Sequence, residues 1–194
     1  MKVAIVKYNA GNIQSVSFAL ERLGVDFLIT DNADDIQTAE KVIFPGVGEA
    51  STTMQFLKAK KLDCLIPSLQ QPVLGICLGM QLMCKYSEEN ETECLGIFNE
   101  SVKRFVPQGD MKVPHMGWNS LSLKESWLEK SIESEYAYFV HSYYVPVNQF
   151  TSAVTEYINP FSSALHLKNF YAVQFHPEKS AKAGEIVLKS FLKV

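Results

Sequence analysis

The sequence lacks what a membrane-embedded or exported chain would show. No apolar run approaches the length of a bilayer span. The opening Met1-Lys2-Val3-Ala4-Ile5-Val6 is too short for a signal sequence, and Lys7 interrupts it. Clustered positive charge is scarce. Lys58-Ala59-Lys60-Lys61 is the one basic cluster, and the formal net charge is -3. A solvated helix end accounts for that cluster, so no nucleic-acid footprint is left. There are four cysteines: Cys64, Cys77, Cys84 and Cys94. They form no C-x-x-C pair and have no histidine pair beside them at zinc spacing, so no metal site is read. Such usage fits a reduced, cytoplasmic compartment. Repeats and low-complexity linkers are also missing. The 194 residues, 47% of them hydrophobic, are expected to form one domain, 1–194, with a substantial core.

In the first half, apolar runs alternate with helical spacings. Residues 3–6 read as a strand buried on both faces. A helix follows from Ile13, with Asn12 as its N-cap and Gly24 at its end. Strands are expected over 25–30, 41–44 and 73–76. Helices are expected over 34–39, 50–60, 62–69 and 78–86, with Pro67 breaking the third. This β-α-β-α order predicts an α/β fold whose parallel sheet has helices on both faces. After an acidic loop at 87–93 the texture changes to short strands. They are placed at 95–98, 101–105, 119–123, 136–140, 143–145, 153–157, 164–167 and 171–175. Helices are expected over 126–132 and 183–192. Lys168-Asn169 predicts an antiparallel hairpin. The whole reads as a mostly parallel central sheet with antiparallel additions.

The stretch Val73-Leu74-Gly75-Ile76-Cys77-Leu78-Gly79-Met80-Gln81 carries the first chemical signal. Gly-x-Cys-x-Gly between a strand and a helix is the cysteine form of a nucleophile elbow. Cys77 would sit at positive φ, and side chains at 75 and 79 would collide, so glycine stands at both. The helix that follows aims its free N–H groups at the sulfur, favouring thiolate. The stretch fits a buried cysteine closing a core strand equally well. A nucleophile also needs a base and a group to orient it. His115, His141, His166 and His176 are the candidates. In Gln174-Phe175-His176-Pro177-Glu178, the proline keeps the chain extended. His176 and Glu178 would then project to one side. A strand-end histidine with an exposed glutamate explains that stretch too, but the two half-signals together favour a triad. Pro45-Gly46-Val47-Gly48, at the end of the strand over 41–44, could aim the Val47 N–H into the site. With the Leu78 N–H it would form an oxyanion hole.

Gly75-Ile76-Cys77-Leu78-Gly79-Met80-Gln81 together with Gln174-Phe175-His176-Pro177-Glu178 resembles the class I, triad-type glutamine amidotransferases, along nearly the whole chain. Three stretches resemble one branch of them, the glutaminase subunits of imidazole glycerol phosphate synthase. These are Gly11-Asn12-Ile13-Gln14-Ser15-Val16, Pro114-His115-Met116-Gly117-Trp118-Asn119 and Phe139-Val140-His141-Ser142-Tyr143. The resemblance implies a flavodoxin-like domain that hydrolyses L-glutamine, with no cofactor and no metal. Cys77 would be the nucleophile, His176 the base and Glu178 its orienting group. Val47 and Leu78 would give the oxyanion N–H groups, and Gly48, Gln81, Glu89, Ser142 and Tyr143 the substrate pocket. The implied partner is a cyclase subunit, a (β/α)8 barrel, in a heterodimer. Asn12, Trp118, Tyr136, Tyr138 and Lys179 would lie at or near that interface. The chain stops where a stand-alone subunit would stop. Lys7-Tyr8-Asn9-Ala10-Gly11-Asn12 departs from the usual Asp-Tyr-Gly-x-Gly-Asn in charge and in one glycine. Two other readings keep the fold: a glutaminase subunit for the pyridoxal phosphate synthase barrel, and a docking subunit with a vestigial site.

Overall fold

The computed structural model of the chain describes residues 2–8, 12–124 and 127–194. In chain order its first half runs β1 (Lys2–Val6), α1 (Ile13–Arg22), β2 (Asp26–Thr30), α2 (Ala33–Thr38), β3 (Lys41–Phe44), α3 (Ala50–Ala59), α4 (Leu62–Ser68), β4 (Val73–Ile76) and α5 (Leu78–Met83). The second half adds β5 (Cys84–Ser87), β6 (Thr92–Glu93), β7 (Phe98–Arg104), β8 (His115–Ser120), β9 (Ser122–Leu123) and β10 (Tyr136–His141). It closes with β11 (Tyr143–Tyr144), β12 (Thr151–Glu156), β13 (Pro160–Leu167), β14 (Phe170–Val173) and α6 (Ala181–Lys193).

The central sheet has the order β2-β1-β3-β4-β14-β13-β12-β9. Pairing is parallel from β2 through β14 and antiparallel from there to β9. Successive side chains of a strand point to opposite faces, so one sheet needs two apolar layers. Val3, Ile5 and Ile43 face α1 and α6, where Leu20, Val187 and Phe191 meet them. Ala4, Val6, Val42 and Phe44 face the other side, packing with Ile36, Leu57 and Ile66. Two smaller sheets flank this body. One is the antiparallel ribbon of β8 and β10, and the other has the order β11-β7-β5-β6. Among the described residues, no helix is long and apolar enough to cross a membrane.

Several expected elements are redrawn. The helix expected over 62–69 runs through Pro67 and ends at Ser68. With one residue left, the proline finishes the helix rather than breaking it. The helix expected over 78–86 stops at Met83, because Cys84–Ser87 leaves to pair with β7 and β6. The strands expected at 95–98 and 101–105 are one strand, β7. Leu95 and Gly96 turn back, and their N–H groups bond the Leu82 and Cys84 carbonyls. The strand expected over 119–123 divides into β8, paired with β10, and β9, paired with β12. Of the helix expected over 126–132, residue 126 lies outside the described residues. The rest holds only a 3-10 turn at Lys130–Ile132. The turn expected at Asn9 to Gly11 also lies outside the described residues.

Candidate active site

Three neighbouring parallel strands deliver the site at their carboxyl ends, where open α/β sheets place their ligands. β4 runs into Cys77. On one side β3 runs into Pro45-Gly46-Val47-Gly48, and on the other β14 runs into Gln174 and His176. Cys77 has φ 51° and ψ -106°, the strained turn expected of it. A Cβ on Gly79 would lie 2.0 Å from the Phe44 carbonyl oxygen, so the helix start presses directly on β3. A Cβ on Gly75 would meet Met83 Sδ at 2.8 Å and the Met80 nitrogen at 2.9 Å.

His176 Nδ1 lies 2.7 Å from Glu178 Oε1, and both side chains are fully buried. The pair forms by a different route from the extended alternation expected. His176 itself is extended, but Pro177–Lys179 make a 3-10 turn that swings Glu178 back under the ring. The segment is tied down on both sides. His176 N–H donates to the Tyr138 carbonyl at 2.9 Å, and Ser180 Oγ donates to the His176 carbonyl at 2.7 Å. Nε2 is buried without a hydrogen-bond partner, and the Cys77 thiol is beside it. Burial alone would depress this imidazole. The neighbouring Cys77 and Glu178 outweigh it and push the pKa up to about 10. His176 therefore keeps its second proton at neutral pH. Asn12 makes no capping bond to α1. Its buried amide instead donates to Glu178 Oε1, beside the ring N–H.

A cavity of about 290 Å³ opens next to Cys77. Val47, Gly48, Leu78, Gln81, Glu89, Ser142 and Tyr143 all line it. Pro114, Val140 and His141 complete the wall. Glu89 Oε2 accepts the Ala50 N–H at 2.8 Å. Burial raises the Glu89 pKa, against that bond. Gln81 spends both amide hydrogens inside the protein, on the Tyr143 carbonyl at 3.0 Å and on Gln174 Oε1 at 2.9 Å. Only its carbonyl oxygen is left for a ligand. Gln174 was not singled out from the sequence, yet its Nε2 lies 3.6 Å from Cys77 Sγ. Its place two residues before His176, on the same side of an extended chain, was the available signal.

The expected oxyanion pair is not assembled. Leu78 N–H donates to the Gly46 carbonyl at 3.3 Å. That carbonyl and the Val47 N–H share one trans peptide and point in opposite directions. While Gly46 covers Leu78, the Val47 N–H faces away from it.

The residues expected near a partner are mostly at the surface. Trp118 is 52% and Tyr136 59% exposed, and Lys179 is exposed as well. Tyr138 is half-buried, its ring edge-on to Trp118 at 6.0 Å. Packing in the core does not explain Trp118 and Tyr136.

Residues 4–194 match the family model described as Glutamine amidotransferase class-I. The chain is 64% identical over 194 residues to "Imidazole glycerol phosphate synthase subunit HisH" of Bacteroides thetaiotaomicron, covering 99% of each. It is 45% identical to the protein of that name in Idiomarina loihiensis, covering 100% of this chain and 98% of that one. Among solved structures, a glutamine amidotransferase aligns with TM-score 0.76 at 16% identity, over 98% of this chain and 97% of that one. PurLQS of Thermotoga maritima aligns with TM-score 0.69 at 14% identity, over 99% and 97%. These two bear on the fold alone. On sequence and architecture together, the chain belongs to the class-I glutamine amidotransferases, in the branch of imidazole glycerol phosphate synthase HisH subunits.

Proposed function

We propose that the chain is a glutaminase: it hydrolyses the side-chain amide of L-glutamine through a Cys77 thioester. It acts in the cytoplasm as one half of imidazole glycerol phosphate synthase. The observation that carries this reading is the buried Cys77, His176 and Glu178 cluster beside a cavity of amino-acid size. With the thiol proton held on His176, the Cys77 sulfur attacks the carboxamide carbon. Glu178 holds the imidazolium by its Nδ1–H. His176 then passes the proton to the amide nitrogen, the C–N bond breaks and ammonia leaves. Amides are poor electrophiles with a poor leaving group, so protonating the nitrogen matters as much as the attack. A water molecule next loses a proton to His176 and cleaves the thioester, giving glutamate and the free thiol. In the pocket, the Gln81 carbonyl oxygen and the Glu89 carboxylate are both acceptors, suited to the substrate ammonium.

Attack leaves negative charge on the carbonyl oxygen, and two N–H groups must meet it. Rotating the Gly46–Val47 peptide would uncover the Leu78 N–H and bring in the Val47 N–H in one movement. Ammonia set free in water is protonated and no longer nucleophilic, so its release is useful only beside an acceptor. The acceptor in this reading is the cyclase subunit, a (β/α)8 barrel docked as a heterodimer on the face that carries Trp118, Tyr136 and Lys179. It would use the ammonia to form imidazole glycerol phosphate. The test is ammonia release by the purified chain, with and without the cyclase and its ligand. Turnover should be slow alone, rise with the loaded cyclase and vanish in Cys77→Ala. Equal turnover in all three would refute the reading.

A further inference from the structure

Two buried histidines, His115 and His141, have no part in the chemistry above. Their hydrogen bonds have one consistent direction. The Tyr143 carbonyl can only accept, so His141 Nδ1, 2.7 Å away, carries a hydrogen. Burial holds His141 neutral, with its pKa down near 3, so Nε2 is an acceptor. His115 Nδ1, at 3.1 Å, must then be the donor. Burial also lowers His115, to about 4, leaving its Nε2 to accept from Asn119 Nδ2 at 3.4 Å. The Tyr143 carbonyl has a second lone pair, and Gln81 Nε2 donates to it at 3.0 Å. The other Gln81 hydrogen goes to Gln174 Oε1. That acceptance fixes which end of the Gln174 amide faces the nucleophile. Turned over, it would set N–H against N–H at Gln81 and oxygen against sulfur at Cys77.

We propose that Asn119, His115, His141, Gln81 and Gln174 form one hydrogen-bonded relay, two arms of which meet as donors at the Tyr143 carbonyl, and that its last amide positions and sustains the Cys77 thiolate. It deepens the glutaminase reading and rests on it for its purpose, though its geometry does not. An N–H aimed at sulfur favours the form with negative charge there, and such charge-assisted bonds are the stronger kind. Gln174 and its upstream partners are thus positioning residues. The relay begins on the inner face of the β8–β10 ribbon. Trp118 and Tyr138 are paired across its outer face.

The test measures alkylation of Cys77 by iodoacetamide at pH 7, followed site by site by mass spectrometry in the full chain. The reaction reports thiolate and needs no turnover. Gln174→Leu should slow it about tenfold and lower kcat of the partner-loaded enzyme similarly, with KM within about threefold. Gln174→Glu, nearly the same shape, should be slower still, because it sets a carboxylate against the sulfur. His141→Phe should slow alkylation about threefold, and His141→Gln should recover part of that loss. Alkylation at the wild-type rate in Gln174→Glu overturns the proposal, even where Gln174→Leu fails to fold. Slowed alkylation in a chain that releases no ammonia would leave the relay standing and remove the glutaminase reading.

Discussion

At the scale of single residues, the His176–Glu178 pair makes the protein sensitive to alkaline pH. The folded pKa of His176, about 10, lies above the ordinary 6.5. The folded state therefore binds the extra proton between those values and the unfolded chain does not. Its contribution to stability is complete below pH 6.5 and is lost as pH rises toward 10. Urea midpoints of the wild type should fall over that window, and the fall should be shallower in Glu178→Gln. The same substitution should lower kcat about a hundredfold, because the imidazolium loses its anchor. Steady-state ammonia release with the partner present measures this.

At the scale of elements, close backbone approach sets the geometry. A Cβ on Gly184 would lie 1.8 Å from the Pro177 carbonyl oxygen. Helix α6 thus rests on the turn that carries His176 and Glu178. Gly184→Ala should push that turn and cost tenfold or more in kcat, read by steady-state kinetics, since misplacement of about 1 Å is that expensive. Gly79→Ala faces rigid β3 backbone and should lose about 2 kcal/mol or more of stability, read from denaturant unfolding. Elements with local stops were legible in the sequence. β3 and β4 have the bounds expected, because Pro45 ends one and the turn at Cys77 ends the other. β5 was not legible, since its strand character comes from partners at 92–93 and 98–102. For Gln174 the spacing from His176 gave its side of the chain, but its contacts exist only where residues 77, 81 and 174 converge. The orientation of the Gly46–Val47 peptide is a conformational state, and composition carries no record of it.

At the scale of the whole molecule, the β8–β10 ribbon is two-faced. Register pairs Trp118 with Tyr138 and Val140 with Met116 on one side, and Ala137 with Asn119 and His141 with His115 on the other. If the proposed cyclase docks here, Trp118→Ala or Tyr136→Ala should weaken its binding about tenfold or more by calorimetric titration. Neither should move the thermal midpoint appreciably, because both side chains are more than half exposed. Met116, 64% exposed, extends the same strip. In a lone subunit that strip is bare to water, and bare apolar strips adhere to one another. Copies made in excess of a partner subunit would be the sticky ones, so solubility becomes a matter of gene dosage. Overproduced alone, the chain should drift toward aggregates at concentrations where the matched pair stays clear.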